Sequence, residues 1–151
     1  MITVTNQQTA TPVDIAHLES KTHKLLTDLG YKDFDIGILL TDLETIQEYN
    51  HTYRHKDAPT DVLSFPYHEN IVAGEKIAAT ADDEKNLGDI ILCPQFIKDD
   101  LERWEKTLEE RMDILLIHGL LHLLGYDHEK DEDYEVMKVE EQRLLDVITT
   151  K

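Results

Sequence analysis

Apolar residues recur along this chain in two rhythms, one of strands and one of helices. Ile2 and Val4 alternate with polar neighbours and predict a short first strand. Thr11-Pro12 predicts a helix start, since proline in the first turn gives up a donor that has no partner there anyway. Ile15, Leu18, Leu25, Leu26 and Leu29 continue that helix, and Gly30 stops it. A second strand is expected over Phe34–Leu40. Thr41-Asp-Leu-Glu44 then reads as a capping box opening a helix that reaches about Thr52. Arg54 to Thr60 reads as a loop, and Val62-Leu-Ser-Phe65 as a third strand closed by Pro66. His68 to Asn86 shows no clear period and reads as a mobile connection. Leu87-Gly-Asp-Ile-Ile-Leu-Cys93 predicts a fourth strand, and Pro94 starts a helical stretch. From Met112 to Leu124 the chain is apolar almost all round, the mark of a buried helix. A last helix is capped near Asp131, with a stripe of Tyr134, Met137, Leu144, Leu145 and Ile148.

Four strands and about five helices in this order fit an α+β or α/β layer. The expectation is an α+β fold, a small mixed four-stranded sheet packed by helices, in one domain spanning residues 1–151. The pattern leaves the strand order open. The chain has a single cysteine, Cys93, and therefore no internal disulfide, which fits a reducing cytoplasmic setting. Cys93 ends an apolar run and reads as a small core residue. The amino terminus lacks a signal-peptide pattern, and no run is long and apolar enough to span a membrane.

The net charge of −17 opposes a nucleic-acid partner, because affinity for phosphate comes mostly from Lys and Arg. An RNA ligand requires a locally basic cleft, and Tyr53-Arg54-His55-Lys56 is the compact basic segment available. The acids of Glu129–Glu135 and Glu140-Glu141 read as a solvated helix face.

The residues richest in chemistry are His118-Gly-Leu-Leu-His122-Leu-Leu-Gly125-Tyr-Asp-His128. Positions i and i+4 share one helix face, so His118 and His122 can address one metal ion. Gly125 can take positive φ and turn the chain so that His128 returns to the same point. A lone histidine on an apolar helix is more often a hydrogen-bonded core residue than a ligand. Two buried without partners are costly, and coordination satisfies one nitrogen of each. Three imidazoles with a fourth position open are the donor set of a catalytic zinc. The spacing is that of metzincin proteases, which carry a glutamate base directly after the first histidine. Here that position is Gly119, so peptidase chemistry is the weaker reading.

With Tyr53-Arg54-x-x-Asp57-x-Pro59-Thr60-Asp61-Val62-Leu63-Ser64-Phe65-Pro66 and Leu87-Gly88-Asp89-Ile90, the histidine block resembles the YbeY-type endoribonucleases, bacterial rRNA maturation factors. The likeness runs from about residue 30 onward. It implies a zinc-dependent, single-strand-preferring endoribonuclease acting on the 3′ end of small-subunit rRNA and in ribosome quality control. It implies rRNA, the ribosome and its assembly factors as partners. It implies one Zn2+ held by His118, His122 and His128, with His118 and Arg54 as catalytic residues and Arg54 facing the phosphate.

Other residues read more plainly. Asp127 is expected to orient a ligand histidine, and Asp89 is as much a strand-end hydrogen bonder as a site residue. Thr60, Asp61 and Ser64 are expected to fix the turn and strand, and no G-x-S-x-G surrounds Ser64. His17, His23, His51, His55, Lys56 and His68 read as surface residues. Two rivals remain: a minimal zinc peptidase, and a non-catalytic assembly factor in which zinc holds the fold.

Overall fold

The computed structural model describes residues 1–127 and 129–149. It is an α+β fold with a four-stranded mixed sheet. In chain order the elements are β1 (Ile2–Asn6), α1 (Ile15–Leu29), β2 (Asp35–Leu40), α2 (Leu43–Arg54), β3 (Val62–Pro66), β4 (Asn86–Leu92), α3 (Pro94–Asp99), α4 (Leu108–Leu123) and α5 (Asp131–Thr149). The sheet order is β1-β2-β4-β3. β1 and β2, and β2 and β4, pair in parallel. β3 pairs antiparallel with β4, Val62 opposite Leu92 and Phe65 opposite Asp89, and is an edge strand.

Side-chain alternation gives each strand two faces. Ile36, Ile38 and Leu40 of β2 and Ile90 and Leu92 of β4 point into the main core with α1, α4 and α5. Leu63, Ile91 and Cys93 point the other way, against Ile46 of α2, in a smaller cluster. Burial pushes the Cys93 thiol above its ordinary pKa, which keeps it a protonated core residue.

Two helix starts differ from the sequence expectation. Thr11 does not open α1: its N–H and C=O both bond the Gln8 side chain, and Asp14 caps the helix three residues later. Nor is Thr41 the cap of α2. Its N–H donates to the Leu92 carbonyl as a last rung of the sheet, so the chain leaves β2 one residue later and Asp42 accepts from Thr45 N–H. A reciprocal capping box does form at Thr107 and Glu110, where α4 begins. On α5, Met137, Leu144 and Ile148 are buried as expected, but Tyr134 is half exposed, so its core contact begins at Met137. The 68–86 segment is tied down at several points. The Lys76 ammonium donates to the Gly30 carbonyl, Ile77 N–H donates to the Tyr31 hydroxyl, and a His68 ring nitrogen meets the Glu84 carbonyl at 2.6 Å. His68 is therefore half-buried and bonded, not a bare surface residue. Among the described residues no helix is long and apolar enough to cross a membrane.

Candidate active site

The site is built on α4, whose residues Leu116, Ile117, Leu120, Leu121 and Leu123 are fully buried. Such a helix has little freedom to rotate, so the directions of His118 and His122 are set by the core behind them. Gly119 explains how close the sheet comes. A Cβ there would lie 3.1 Å from Ile90 Cγ2 and 3.2 Å from Ser64 Oγ, and the Ser64 hydroxyl donates to the Gly119 carbonyl at 3.2 Å. The residue that removes the peptidase base is thus also the residue that lets β3 and β4 approach α4.

The two rings converge. His118 Nε2 and His122 Nε2 lie 3.0 Å apart, with ring planes at 81°. Their other nitrogens are engaged: His118 Nδ1 meets Glu141 Oε1 at 2.8 Å, and His122 Nδ1 meets the Tyr126 carbonyl at 2.9 Å. A carbonyl or a carboxylate only accepts, so each Nδ1 must donate. A ring whose Nδ1 carries the proton can turn an Nε2 lone pair toward a metal, and these two Nε2 atoms converge on one point. A tetrahedral zinc with Zn–N bonds of about 2.0–2.1 Å holds its ligand nitrogens roughly 3.3 Å apart. The donor chemistry fits a divalent metal, with Glu141 and the Tyr126 carbonyl as the groups that fix tautomer and ring orientation.

Gly125 makes the second of these contacts possible. It follows the end of α4 with φ +89°, and a Cβ on it would lie 2.5 Å from the Ile71 carbonyl oxygen. Its turn, closed by Tyr126 N–H donating to the Leu121 carbonyl, brings the Tyr126 carbonyl back under His122.

The histidines open into a cleft of about 570 Å³, also lined by Arg54, Thr60, Asp61, Ser64, Pro66, Asp127 and Glu129. Arg54, the last residue of α2, is therefore brought into one cleft with His118 and His122 from 64 residues or more away in sequence. The turn after it is pinned: Gln47 donates to Asp57 Oδ1 at 3.0 Å, and Asn50 donates to the Ala58 carbonyl at 2.8 Å. Asp61 accepts from Val62 N–H at 2.8 Å and faces Arg111 at 3.7 Å, which fixes the start of β3 as expected. Arg111 in turn lies over the Trp104 ring at 3.7 Å.

Three expectations change. The cleft is not locally basic: Arg54 is the one Lys or Arg among its described lining residues, beside Asp61, Asp127 and Glu129. Asp89 faces away from the histidines, its carboxylate crowding Gly37 on the far side of the sheet. Glu141 was read as part of a solvated acidic face, yet it takes the His118 Nδ1 hydrogen bond. Asp127 lines the cleft. The histidine it was expected to orient, His128, lies outside the described residues, so the third expected ligand has no geometry here.

A sequence model of the Endoribonuclease YbeY family matches residues 3–149. The chain belongs to that family. It is 38% identical over 148 residues to the human protein named Endoribonuclease YbeY, covering 96% of this chain and 86% of that one. The protein of the same name from Sulfurihydrogenibium is 42% identical over 133 residues, covering 87% and 82%. That from Neisseria meningitidis serogroup A is 41% identical over 116 residues, covering 77% and 65%. A solution structure of a Thermotoga maritima protein aligns over 98% of this chain and 89% of its own at TM-score 0.65 and 27% identity.

Proposed function

We propose that this chain is a zinc-dependent endoribonuclease that prefers single strands. Its proposed task is maturing the 3′ end of small-subunit rRNA and ribosome quality control in the cytoplasm. Membership of an endoribonuclease family supports the reaction class. The observation that carries the metal reading is the convergence of two histidine Nε2 atoms, 3.0 Å apart, in one open cleft with Arg54.

When bound, zinc supplies Lewis-acid polarisation of a phosphoryl oxygen and lowers the pKa of a water to about 7. The chain's own residues do the rest. Glu141 and the Tyr126 carbonyl hold the ring protons at Nδ1, so both Nε2 atoms stay available as donors of electron pairs. Arg54 pairs with the scissile phosphate and stabilises the charge that grows on it, its planar fork matching two oxygens. His118, His122 and His128 are the proposed ligands, with His118 and Arg54 nearest the chemistry. The cleft's carboxylates repel a bare phosphate, so the metal charge and Arg54 together supply the attraction that the surface does not. A surface this acidic also favours delivery of the substrate by the ribosome or its assembly factors.

The test is cleavage of single-stranded and duplex rRNA fragments by the purified protein, before and after chelation and with zinc restored. Zinc-restored cutting of single strands is expected. Zinc-dependent digestion of casein without RNA cleavage would favour the peptidase. Rescue of ribosome maturation by a zinc-loaded Arg54→Ala protein as well as by wild type would favour the assembly factor.

A further inference from the structure

Arg54 is the proposed phosphate partner in the cleft, and Tyr53 directly precedes it on α2. Tyr53 is 61% exposed. An exposed tyrosine by itself means little. This one is held in place by two other rings. It stands edge-on to Phe65 with centroids 5.2 Å apart, and lies nearly parallel to Tyr49 at 6.0 Å and 18°. Phe65 and Tyr49 pack in turn on the buried cluster of Ile46, Leu63, Ile91 and Cys93. The result is an aromatic surface braced from behind and open to solvent in front.

Its position relates it to the cleft. β3 is the edge of the sheet, and its Ser64 side chain reaches α4 while Phe65 points to the α2 side. Tyr53 and the histidines therefore flank one edge strand. Consecutive residues leave a helix about 100° apart, so Arg54 reaches the cleft while Tyr53 stays on the Phe65 side. A strand of nucleic acid with a phosphate at Arg54 passes over this edge.

Charge says which part of the strand belongs there. The chain carries a net charge of −17 and Asp89 is paired across from Phe65, so beyond Arg54 and nearby Lys56 this edge offers little to a phosphate. A base carries no charge and offers a π-face whatever its identity. Stacking of one base on an aromatic ring is worth on the order of 10- to 100-fold in affinity. We propose that Tyr53, backed by Tyr49 and Phe65, is a stacking platform for one base of single-stranded RNA next to the phosphate held by Arg54. This rests on the endoribonuclease reading. It also gives single-strand preference a structural source, because bases stacked and paired within a duplex cannot be laid on the ring.

The test is binding of a labelled single-stranded RNA of mixed sequence to the full, metal-loaded chain, followed by fluorescence anisotropy across a salt series. Strand integrity and metal content are checked alongside. Tyr53→Ala is expected to weaken binding on the order of 10- to 100-fold with an unchanged salt slope. Tyr53→Phe and Tyr53→Trp should bind like wild type. Arg54→Ala should instead lower the slope by about one. A single abasic nucleotide walked along the strand provides a reading that needs no altered protein. One position near the cut should cost wild type as much as Tyr53→Ala does, and cost Tyr53→Ala nothing further. Wild-type affinity in Tyr53→Ala, no sensitive abasic position, or equal loss in Tyr53→Phe overturns the platform. Wild-type protein that neither binds nor cuts single strands overturns the endoribonuclease reading and the platform together; cutting by wild type with Tyr53-independent affinity overturns the platform alone.

Discussion

Helix α4 carries clustered polar chemistry near both of its ends, and the two ends differ in one respect. Near its start, Asp113 is 7% exposed and receives the Lys21 ammonium at 2.8 and 3.0 Å. Glu109 takes a further bond from the same ammonium at 2.9 Å. Burial alone lowers the Lys21 pKa, but the hydrogen bonds of Asp113 and Glu109 outweigh it and raise the net value, while burial pushes the Asp113 carboxyl up against the pull of Lys21. At this end donors meet acceptors. Near the other end, two histidines bring their Nε2 atoms within 3.0 Å of each other on the wall of an open cleft. The first arrangement pairs charges within the protein, whereas the second converges a donor set of the kind a divalent cation takes. Polar groups on a helix therefore do not by themselves distinguish a site from a brace; what the converging atoms can hold does.

Breaking the brace should give the largest effect. Lys21→Ala leaves the Asp113 carboxylate buried and unpaired, a loss of about 3–5 kcal/mol. Thermal or urea unfolding should show this loss, while the double variant Lys21→Met/Asp113→Leu stays near wild-type stability. Arg54→Ala should do the reverse. Removing a group that stabilises developing charge costs on the order of 10²- to 10³-fold in kcat. Melting temperature and zinc content should not move, and loss of zinc in Arg54→Ala would sink its assigned role. Glu141→Gln is smaller again: loss of a carboxylate behind a ligand histidine lowers metal affinity about 10- to 100-fold. Competition with a coloured zinc chelator reads that change, and unaltered affinity would return Glu141 to the acidic face. The smallest effect belongs to Gly119→Ala. About 1 kcal/mol of gained helix propensity opposes an overpacking cost of about 1–3 kcal/mol against Ile90 and Ser64. A mild net destabilisation is expected in urea unfolding, and clear stabilisation would mean that the close approach is not needed.

The histidine end of this contrast was legible in the residues themselves; the Lys21–Asp113 end, joined across 92 residues, was not. Helical spacing put His118 and His122 on one face, and Gly125 announced the turn that follows. Arg54 became a candidate only through its surrounding motif, since a single arginine near a loop carries no signal of its own. The other half of the site was hidden for a physical reason. Glu141 lies 23 residues beyond His118 in an acidic run that looks like any solvated helix face, and its role exists only once α5 packs on α4. The Tyr126 contact is made by a backbone carbonyl, which no side-chain pattern reports. Strand order was hidden likewise, because β4 enters between β2 and β3 through pairings distant in sequence. The misplaced caps at Thr11 and Thr41 have different causes: a local turn bond to Gln8, three residues away, holds Thr11, and a sheet rung to Leu92, distant in sequence, holds Thr41. The acidic composition led to an expected basic cleft. Among the described lining residues, Arg54 is instead the one Lys or Arg.

The most direct test of the central claim is elemental analysis of wild type and His122→Ala, with both proteins then given single-stranded rRNA. The account predicts about one zinc per chain and cleavage for wild type, and neither for His122→Ala. Equal metal content in the two proteins, or undiminished cleavage by His122→Ala, would contradict it.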